Sequence, residues 1–366
     1  MDEIEPSSEA HESTGPVEPA GPTASTSPVI HRFEFSGQGS EYFRIWIVNL
    51  ALTIVTIGIY SAWAKVRRLK YMHGATTLDG SAFGYHGAPQ KILKGRMIGA
   101  VLFGGYVVAG RVNPVAGLIA GLVLTAAFPW LIVKSMKFRT RMTSWRGLRL
   151  DFNQDFKGAY ATYFGWLLLT IVSLGLLMPM FVRKFNLFIV NNTRVGSTAF
   201  VCRAKMAPFY FASLQALGVI FAGGVLLVIV ITVTSGLFDQ ATAKTLAATV
   251  LPLLVIGPVY VLAIAVFQSA TLNEVFGTTT FGPHQLQCRL SGPRLASIYL
   301  TNLLGIVCTL GLFTPWATVR LLRYRLESMS VAAEGSLDRL VAAETDAVPG
   351  AIGEEISDIF DVDFGL

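Results

Sequence analysis

Long apolar runs alternate along this chain with short stretches in which polar residues take turns with Phe, Leu or Val. The runs are Phe43–Trp63, Met97–Gly110, Val112–Val133, Ala159–Val182, Phe209–Thr234, Leu246–Ala270 and Leu295–Thr318. A bilayer span takes about 20 mostly apolar residues, and most of these runs reach that length. Met97–Gly110 is short and is joined to the next run by the brief link around Arg111–Pro114. The pattern predicts an integral membrane protein with four to seven inserted segments. Between the runs, Arg32–Phe35, Thr76–Tyr85, Gly147–Phe152, Thr193–Val201 and Gln285–Leu290 read as strands and turns punctuated by Gly.

The flanks differ in kind. Residues 1–30 are rich in Pro, Ser, Thr, Glu and Ala and hold no Lys or Arg. They have too little apolar bulk to offset the entropy of ordering, so a disordered tail is expected. MDEIEPSSEA lacks the basic-then-apolar order of a signal peptide, which leaves insertion to the first hydrophobic span. Beyond Ser330 the chain turns acidic and ends GEEISDIFDVDFGL, readable as an amphipathic docking segment or as a disordered tail.

One motif recurs three times. TIVTIG at Thr53–Gly58 is followed by IYSAWAKVRR, TIVSLG at Thr170–Gly175 by LLMPMFVRK, and GIVCTLG at Gly305–Gly311 by LFTPWATVR. Aligning the repeat glycines Gly58, Gly175 and Gly311 also aligns Trp63 with Trp316, Arg67 with Arg320, Tyr71 with Tyr324 and Asn49 with Asn302. Each copy reads as a helix of about four turns that is bent or closely approached at its glycine. A small or proline residue follows four positions later, at Ala62, Pro179 or Pro315.

The expected fold is an all-α polytopic membrane protein with short cytoplasmic β-strand elements, a threefold internal repeat interleaved with two transmembrane hairpins. The divisions are a tail at 1–30, modules at 31–96, 134–207 and 271–330, hairpins at 97–133 and 208–270, and an acidic tail at 331–366.

Charge bears on topology. Charged residues are only 14% of the chain against 52% hydrophobic, whereas a soluble domain carries about 25% charged. If all seven runs cross, the basic loops 64–96 and 183–207 face opposite sides, against the positive-inside rule. If the three modules dip in and return, or lie in the interface, all but Arg111 and Lys244 of the 29 Lys and Arg fall on one side, together with every strand-like stretch. That places both termini and the basic face in the cytoplasm. The basic side then meets anionic lipid headgroups rather than nucleic acid, with Trp63, Lys65, Arg67, Arg68, Trp316 and Arg320 as interfacial anchors. The segment Ala62–Met72 is expected to lie along the headgroups with Trp63 and Tyr71 at its ends. The rival partner for its charges is the acidic tail, through Glu354, Glu355, Asp358, Asp361 and Asp363. A seven-span arrangement with an inverted middle repeat is the alternative. Composition leaves oligomeric state open.

Catalytic chemistry is sparse. There is no HExxH, GxSxG or GxxxxGK[ST], and Gly37 and Gly39 alone make a turn rather than a phosphate loop. His73, Asp79 and His86 lack any familiar ligand spacing, so neither a metal nor a cofactor is expected. Cys202, Cys288 and Cys308 form no CxxC pair, and Cys308 reads as a small core residue. No Asp, Glu, Lys, Arg or His sits mid-run, which lowers ion-coupled transport. The polar intramembrane candidates are Asn49, Asn302, Thr53 and Thr170, with Gln215 beside them. Helix–helix hydrogen bonding is the plainer role for such groups, and a substrate contact the sharper one. No enzyme is expected.

GSEYFRIWIVNLALTIVTIGIYSAWAKVRRLKY within Phe33–Tyr71, TTLDGSAFGYHG, SWRGLRLDF from Ser144 and the C-terminal GEEISDIFDVDFGL resemble the YjgN family of bacterial inner-membrane proteins, over nearly all of residues 31–366. The resemblance implies a bacterial inner-membrane location and no particular activity. The second motif copy departs from the pattern, with Met178–Phe181 where the first has Ser61–Ala64. Two functions remain: transport or channel-like movement of a small solute, or a non-transporting scaffold or envelope-stress component acting through the basic face. A polar cavity at Asn49 and Asn302 favours the first, and a dry, packed core the second.

Overall fold

The computed structural model describes residues 28–237, 241–335 and 337. Ten short strands form a closed antiparallel barrel: β1 (Val29–Phe35), β2 (Thr76–Leu78), β3 (Ser81–Tyr85), β4 (Thr143–Trp145), β5 (Leu148–Phe152), β6 (Thr193–Val195), β7 (Thr198–Cys202), β8 (Thr279–Phe281), β9 (His284–Cys288) and β10 (Met329–Ala333). Each strand pairs with its neighbours in sequence, and β1 closes the ring on β10 through Val29–Ala333 and His31–Val331. Two-residue turns join β2 to β3 and β4 to β5. Asp79–Gly80 and Arg146–Gly147 have positive φ at both central positions, the twist that suits tight hairpins.

The other connections carry pairs of helices. Between β1 and β2 lie α1 (Gly39–Val55) and α2 (Ser61–Gly74). Between β3 and β4 lie α3 (Pro89–Val112) and α4 (Pro114–Arg141). The β5–β6 connection holds α5 (Phe156–Tyr160), a π-helical stretch Ala161–Trp166, α6 (Leu167–Val172) and α7 (Met178–Asn191). The β7–β8 connection holds α8 (Ala207–Leu237) and α9 (Ala241–Gly277), and β9–β10 holds α10 (Gly292–Cys308) and α11 (Thr314–Glu327). The chain thus runs strand, outgoing helix, returning helix, strand five times. Because tight turns and helical insertions alternate around an antiparallel ring, every helical hairpin leaves one rim. The tight turns and the ends Val29 and Ala333 share the other rim.

Alternation within strands fills the barrel. Leu78, Trp145, Phe281, Leu286, Val331 and Ala333 form its buried core, with Phe33, Phe83 and Phe200 packed on them. The Trp145 indole N–H donates to the Leu78 carbonyl at 3.4 Å. Returning helices join strands through one recurring device: the hydroxyls of Thr76, Thr143, Thr193 and Thr279 donate to the carbonyl four residues back, at 2.8, 3.2, 2.8 and 2.6 Å. A helix-terminal carbonyl without an intrahelical partner is satisfied at each.

Hairpin lengths fall into two classes. Four helices are long and apolar enough to cross a membrane, with described spans Pro89–Val112, Pro114–Arg141, Ala207–Thr234 and Leu254–Gly277. At 1.5 Å per residue, α3 is about 36 Å long and α4 about 42 Å. The hairpins α1–α2 and α10–α11 are shorter, and α1 is about 25 Å long. Their tips share one reversal. Gly58, Gly175 and Gly311 have φ of +89°, +88° and +94°, and the residues before them, Ile57, Leu174 and Leu310, have φ near +50°. The amide of each glycine reaches back five residues to Thr53, Thr170 or Ile306, always at 2.8 Å. This is the Schellman closure of a helix end. A hydroxyl two residues before the glycine then accepts from an amide at the start of the returning arm: Thr56 from the Tyr60 N–H at 2.9 Å, Ser173 from the Leu177 N–H at 3.1 Å and Thr309 from the Phe313 N–H at 2.9 Å.

These features correct the expected fold. It is not all-α with accessory strands: the strand-like stretches belong to a closed ten-stranded barrel that organises the chain. Nor is it a threefold repeat between two hairpins, because all five helical insertions follow one strand–helix–helix–strand plan. The glycine marks a complete reversal, so the runs at 43–63, 159–182 and 295–318 each contain two helices or more. Close approach is not its purpose, since a Cβ at Gly58, Gly175 or Gly311 meets nothing within 4 Å. Cys308 is exposed, whereas Cys202 and Cys288 are buried. The expected N-terminal tail lies outside the described residues up to 27, and Val29 and Ile30 belong to β1. Val331–Ala333 of the expected C-terminal tail belong to β10. The tail acids from Glu354 to Asp363 lie outside the described residues.

Candidate functional site

Ser61, Lys65 and Arg68 stand at positions i, i+4 and i+7 of α2, one helical stripe. Tyr42, Asn49 and Thr53 recur at i, i+7 and i+11 on α1, and Thr314 and Thr318 at i and i+4 on α11. With Arg96 of α3 these faces enclose a pocket of about 430 Å³. Below it, toward the barrel, lies a cavity of about 630 Å³. Its walls are Leu69, Met72 and His73 of α2 and Leu321, Leu322, Arg325 and Leu326 of α11. The barrel supplies its floor, through Phe33, Thr76, Phe83 and Thr143. Arg68 and Thr318 line both spaces.

The charge around the upper pocket is unbalanced. Among the described residues, no Asp or Glu lines either space. Burial pushes the Lys65 ammonium below its ordinary pKa, and the positive charges of Arg96, Arg139 and Arg68 push it the same way. Arg96 Nη1 donates to the Ser61 hydroxyl. The Asn49 Oδ1 atom is buried without a hydrogen-bond partner. Lower down, His73 has its pKa lowered by burial and holds Nδ1 2.8 Å from the Leu69 carbonyl. Arg325 donates through Nη2 to Gln268 Oε1 at 2.8 Å and to the Tyr299 hydroxyl at 2.6 Å, and its Nε is buried without a partner. Cations held together without carboxylates attract an anion, because each disfavours its neighbour's charge until a negative group is present.

The structure sorts the residues singled out from sequence. Asn49 and Thr53 line the pocket, and Thr53 Oγ1 donates to the Asn49 carbonyl at 2.6 Å. Asn302 is a helix fastener: its Nδ2 donates to the Ala317 carbonyl of α11 at 3.1 Å. Thr170 is buried and bonds its own helix at Trp166, and Gln215 is exposed. Lys65 and Arg68 line the pocket, the first half-buried and the second exposed, whereas Arg67 is exposed and lines neither space. Arg320 Nη1 donates to Thr301 Oγ1 at 2.7 Å. Trp316 packs on Phe43 at 4.9 Å between ring centroids, and Trp63 stacks on Tyr60. α2 returns to the barrel, and the Tyr71 hydroxyl clasps the start of α1, accepting from the Gln38 amide and donating to its carbonyl at 2.8 and 3.0 Å. His73, Asp79 and His86 do not converge. Asp79 pairs with His31 and Arg146, and His86 with Ser144.

Sequence reasoning missed Arg96, Ser61 and Arg325 as site residues. The helical spacing of Ser61, Lys65 and Arg68 was a usable signal for α2. Nothing in the sequence brings Arg96 or Arg325 to that face, because the barrel does so.

Fold and site together define a class: a membrane-type helical protein whose hairpins rise from one rim of a closed barrel, with a cationic pocket between the short hairpins and α3. Its chain belongs to the family described as bacterial protein of unknown function (DUF898), which matches residues 30–359. Among curated relatives, the inner membrane protein YjgN of Salmonella typhimurium strain LT2 is 30% identical over 154 residues, 40% of this chain and 38% of that protein. The YjgN proteins of Escherichia coli K12 and O157:H7 are 29% identical over 151 residues and 27% over 146. Each of those matches covers 40% of this chain and 37% of the relative, so the matched stretch is under two fifths of these proteins' length. No solved structure matches the chain.

Proposed function

We propose that this is a multi-pass protein of the bacterial inner membrane, with the barrel and both chain ends on the cytoplasmic side, that binds a small anionic solute between its helices and moves it between membrane and pocket. The observation that carries the reading is the gathering of Lys65, Arg68 and Arg96 around a pocket that no carboxylate lines among the described residues. The helices lie on one side of the barrel, and their basic residues cluster where they leave it, as the positive-inside rule favours for a cytoplasmic rim. The names of the YjgN relatives support the location. The long hairpins α3–α4 and α8–α9 cross. The short ones dip in and return, since Arg44 to Val55 spans only about 16 Å of helix against a hydrocarbon core of about 30 Å.

The test uses the full chain in nanodiscs of neutral phosphatidylcholine, titrated with inorganic phosphate and with hexanoate. Saturable binding weakened by R96Q, with protein-dependent anion flux in vesicles, supports the reading; absence of saturable anion binding sinks it. The scaffold reading has one observation of its own, the filled barrel interior, which offers no straight path through the molecule. Binding without flux selects it.

A further inference from the structure

The two cavities adjoin at Arg68 and Thr318 but differ in character. The upper one gathers Lys65, Arg68 and Arg96. The lower is walled mainly by Leu69, Met72, Leu321, Leu322 and Leu326 and ends on the aromatic floor of the barrel; its His73 and Arg325 already hold protein partners, the Leu69 carbonyl and the Gln268 and Tyr299 oxygens. A small charged solute leaves most of that apolar surface uncovered, and a purely apolar one gains nothing from the cations above. We propose that the pair holds one molecule with both characters: a single-chain amphiphile, its anionic head among Lys65, Arg68 and Arg96 and its acyl chain in the lower cavity. This rests on reading the upper pocket as an anion site and adds the class of ligand.

Size sets the chain number. Counting about 30 Å³ for a group the size of a water molecule or a methylene, the 630 Å³ cavity holds about 20 such groups. That accommodates one common acyl chain and not the two of a diacyl lipid. The floor closes the cavity on its barrel side, because Phe33 and Phe83 pack on the filled barrel core. An apolar groove that stops at the barrel beside a charged pocket suits a bound chain better than a solute in transit through the barrel. The groups facing the head are cationic or neutral. Ser61 brings a hydroxyl that can donate while its oxygen accepts from Arg96, and the Asn49 amide can face an anion only through its Nδ2.

The experiment uses the full chain in phosphatidylcholine nanodiscs and a 16-carbon fatty acid with a diazirine near the chain end. After illumination, mass spectrometry locates the label. Expected are adducts on α2 and α11 peptides containing Leu69, Met72 or Leu322, removed by excess hexadecanoate or hexadecyl phosphate and not by hexadecanol. The two competitors distinguish a carboxylate from a phosphate head. R68Q lowers labelling affinity by about tenfold or more, the loss of one charge-assisted hydrogen bond. L322F, which narrows the chamber and leaves the cations in place, lowers chamber labelling and leaves inorganic phosphate binding unchanged. Label confined to the lipid-facing sides of α3, α4, α8 and α9 overturns the proposal. If phosphate still binds in that case, the anion reading survives and only the chain assignment fails. If neither label nor phosphate is held at the site, both fail.

Discussion

Leu310 tests the depth of the short hairpins. Its side chain is 96% exposed at the tip between α10 and α11, and Ile57 and Leu174 at the matching tips are 94% and 95% exposed. All three hold a left-handed φ near +50°, which costs a non-glycine residue about 1–2 kcal/mol. Water would therefore penalise Leu310 twice, through strain and through exposed apolar surface. Lipid removes the second penalty. If the tip is in water, L310G relieves strain and L310D adds solubility, so neither destabilises by more than the roughly 0.5–1 kcal/mol that glycine adds to unfolded-chain entropy. If the tip is in hydrocarbon, L310G forfeits the roughly 1.5–3 kcal/mol gained by burying a leucine, which outweighs the strain relieved. L310D then costs on the order of 2–3 kcal/mol, toward the lower end because the tip stops short of the midplane. Combining I57D, L174D and L310D sums three losses on separate hairpins. The assay is denaturant unfolding in nanodiscs followed by tryptophan fluorescence. An L310D protein as stable as the parent refutes lipid immersion of the tip.

Cysteine placed at Thr198, near the barrel's tight-turn rim, is expected to resist membrane-impermeant labelling from outside intact cells, while cysteine at Asn113, in the α3–α4 link, labels readily; the reverse pattern inverts the topology. Since a Cβ at Gly311 meets nothing within 4 Å, G311A and G311L are expected to lose the same roughly 1–2 kcal/mol through φ strain alone, and a much larger loss for leucine in thermal unfolding points to packing instead. Lys65 has a pKa depressed below 10.5, so it discharges earlier than an ordinary lysine as pH rises. Its charged form weighs against the folded state, and that destabilisation is relieved as pH rises through the lowered pKa. Anion affinity is expected to fall over the same interval and to be accompanied by proton uptake, and a K65R protein with an unchanged pH profile contradicts this. Deleting residues 350–366 is expected to leave labelling of cysteines at Arg67 and Arg68 unchanged if lipid is their partner, and a large rise in labelling assigns them to the acidic tail.

Local features of this fold were legible in the sequence, and long-range ones were not. The Asp79–Gly80 and Arg146–Gly147 turns, the apolar runs and the threonine or serine before each reversal glycine all act over a few residues, so their pattern survives in one dimension. Closure does not. It pairs His31 with Val331, across a chain mostly spent in helices. Strands such as β2, β4, β6 and β8 are three residues long, too short for alternation to register. Copies of the reversal motif were visible because the Schellman turn demands a particular residue order. The long hairpins follow the same topological plan without that turn, so they read as something different. At the candidate site, the α2 stripe was written in the sequence, but its basic residues were read as lipid anchors. Their convergence with Arg96 depends on neighbouring insertions standing side by side on the rim.

Strand pairing also settles the parity that apolar-run counting leaves open. Seven runs read as seven crossings put equivalent basic segments on opposite sides, and charge alone had to argue against it. In the barrel each insertion starts from one strand and must return to that strand's antiparallel partner: Phe35 of β1 pairs with Thr76 of β2, and Phe152 of β5 with Thr193 of β6. A helix that crossed and stayed would pull its partner strand out of the ring. Every insertion therefore holds an outgoing and a returning arm, whatever its length. The 43–63, 159–182 and 295–318 runs are folded back by the reversal glycines. A one-sided distribution of most Lys and Arg would follow from closure, since both arms of every insertion meet the barrel at the same rim. Insertion length then separates the hairpins whose helices are long and apolar enough to cross a membrane from the shorter ones. The cationic pocket forms at such a change of length, where the short hairpin α1–α2 stands beside the long α3 and presents the first turns of its returning arm, from Ser61 to Arg68, to Arg96.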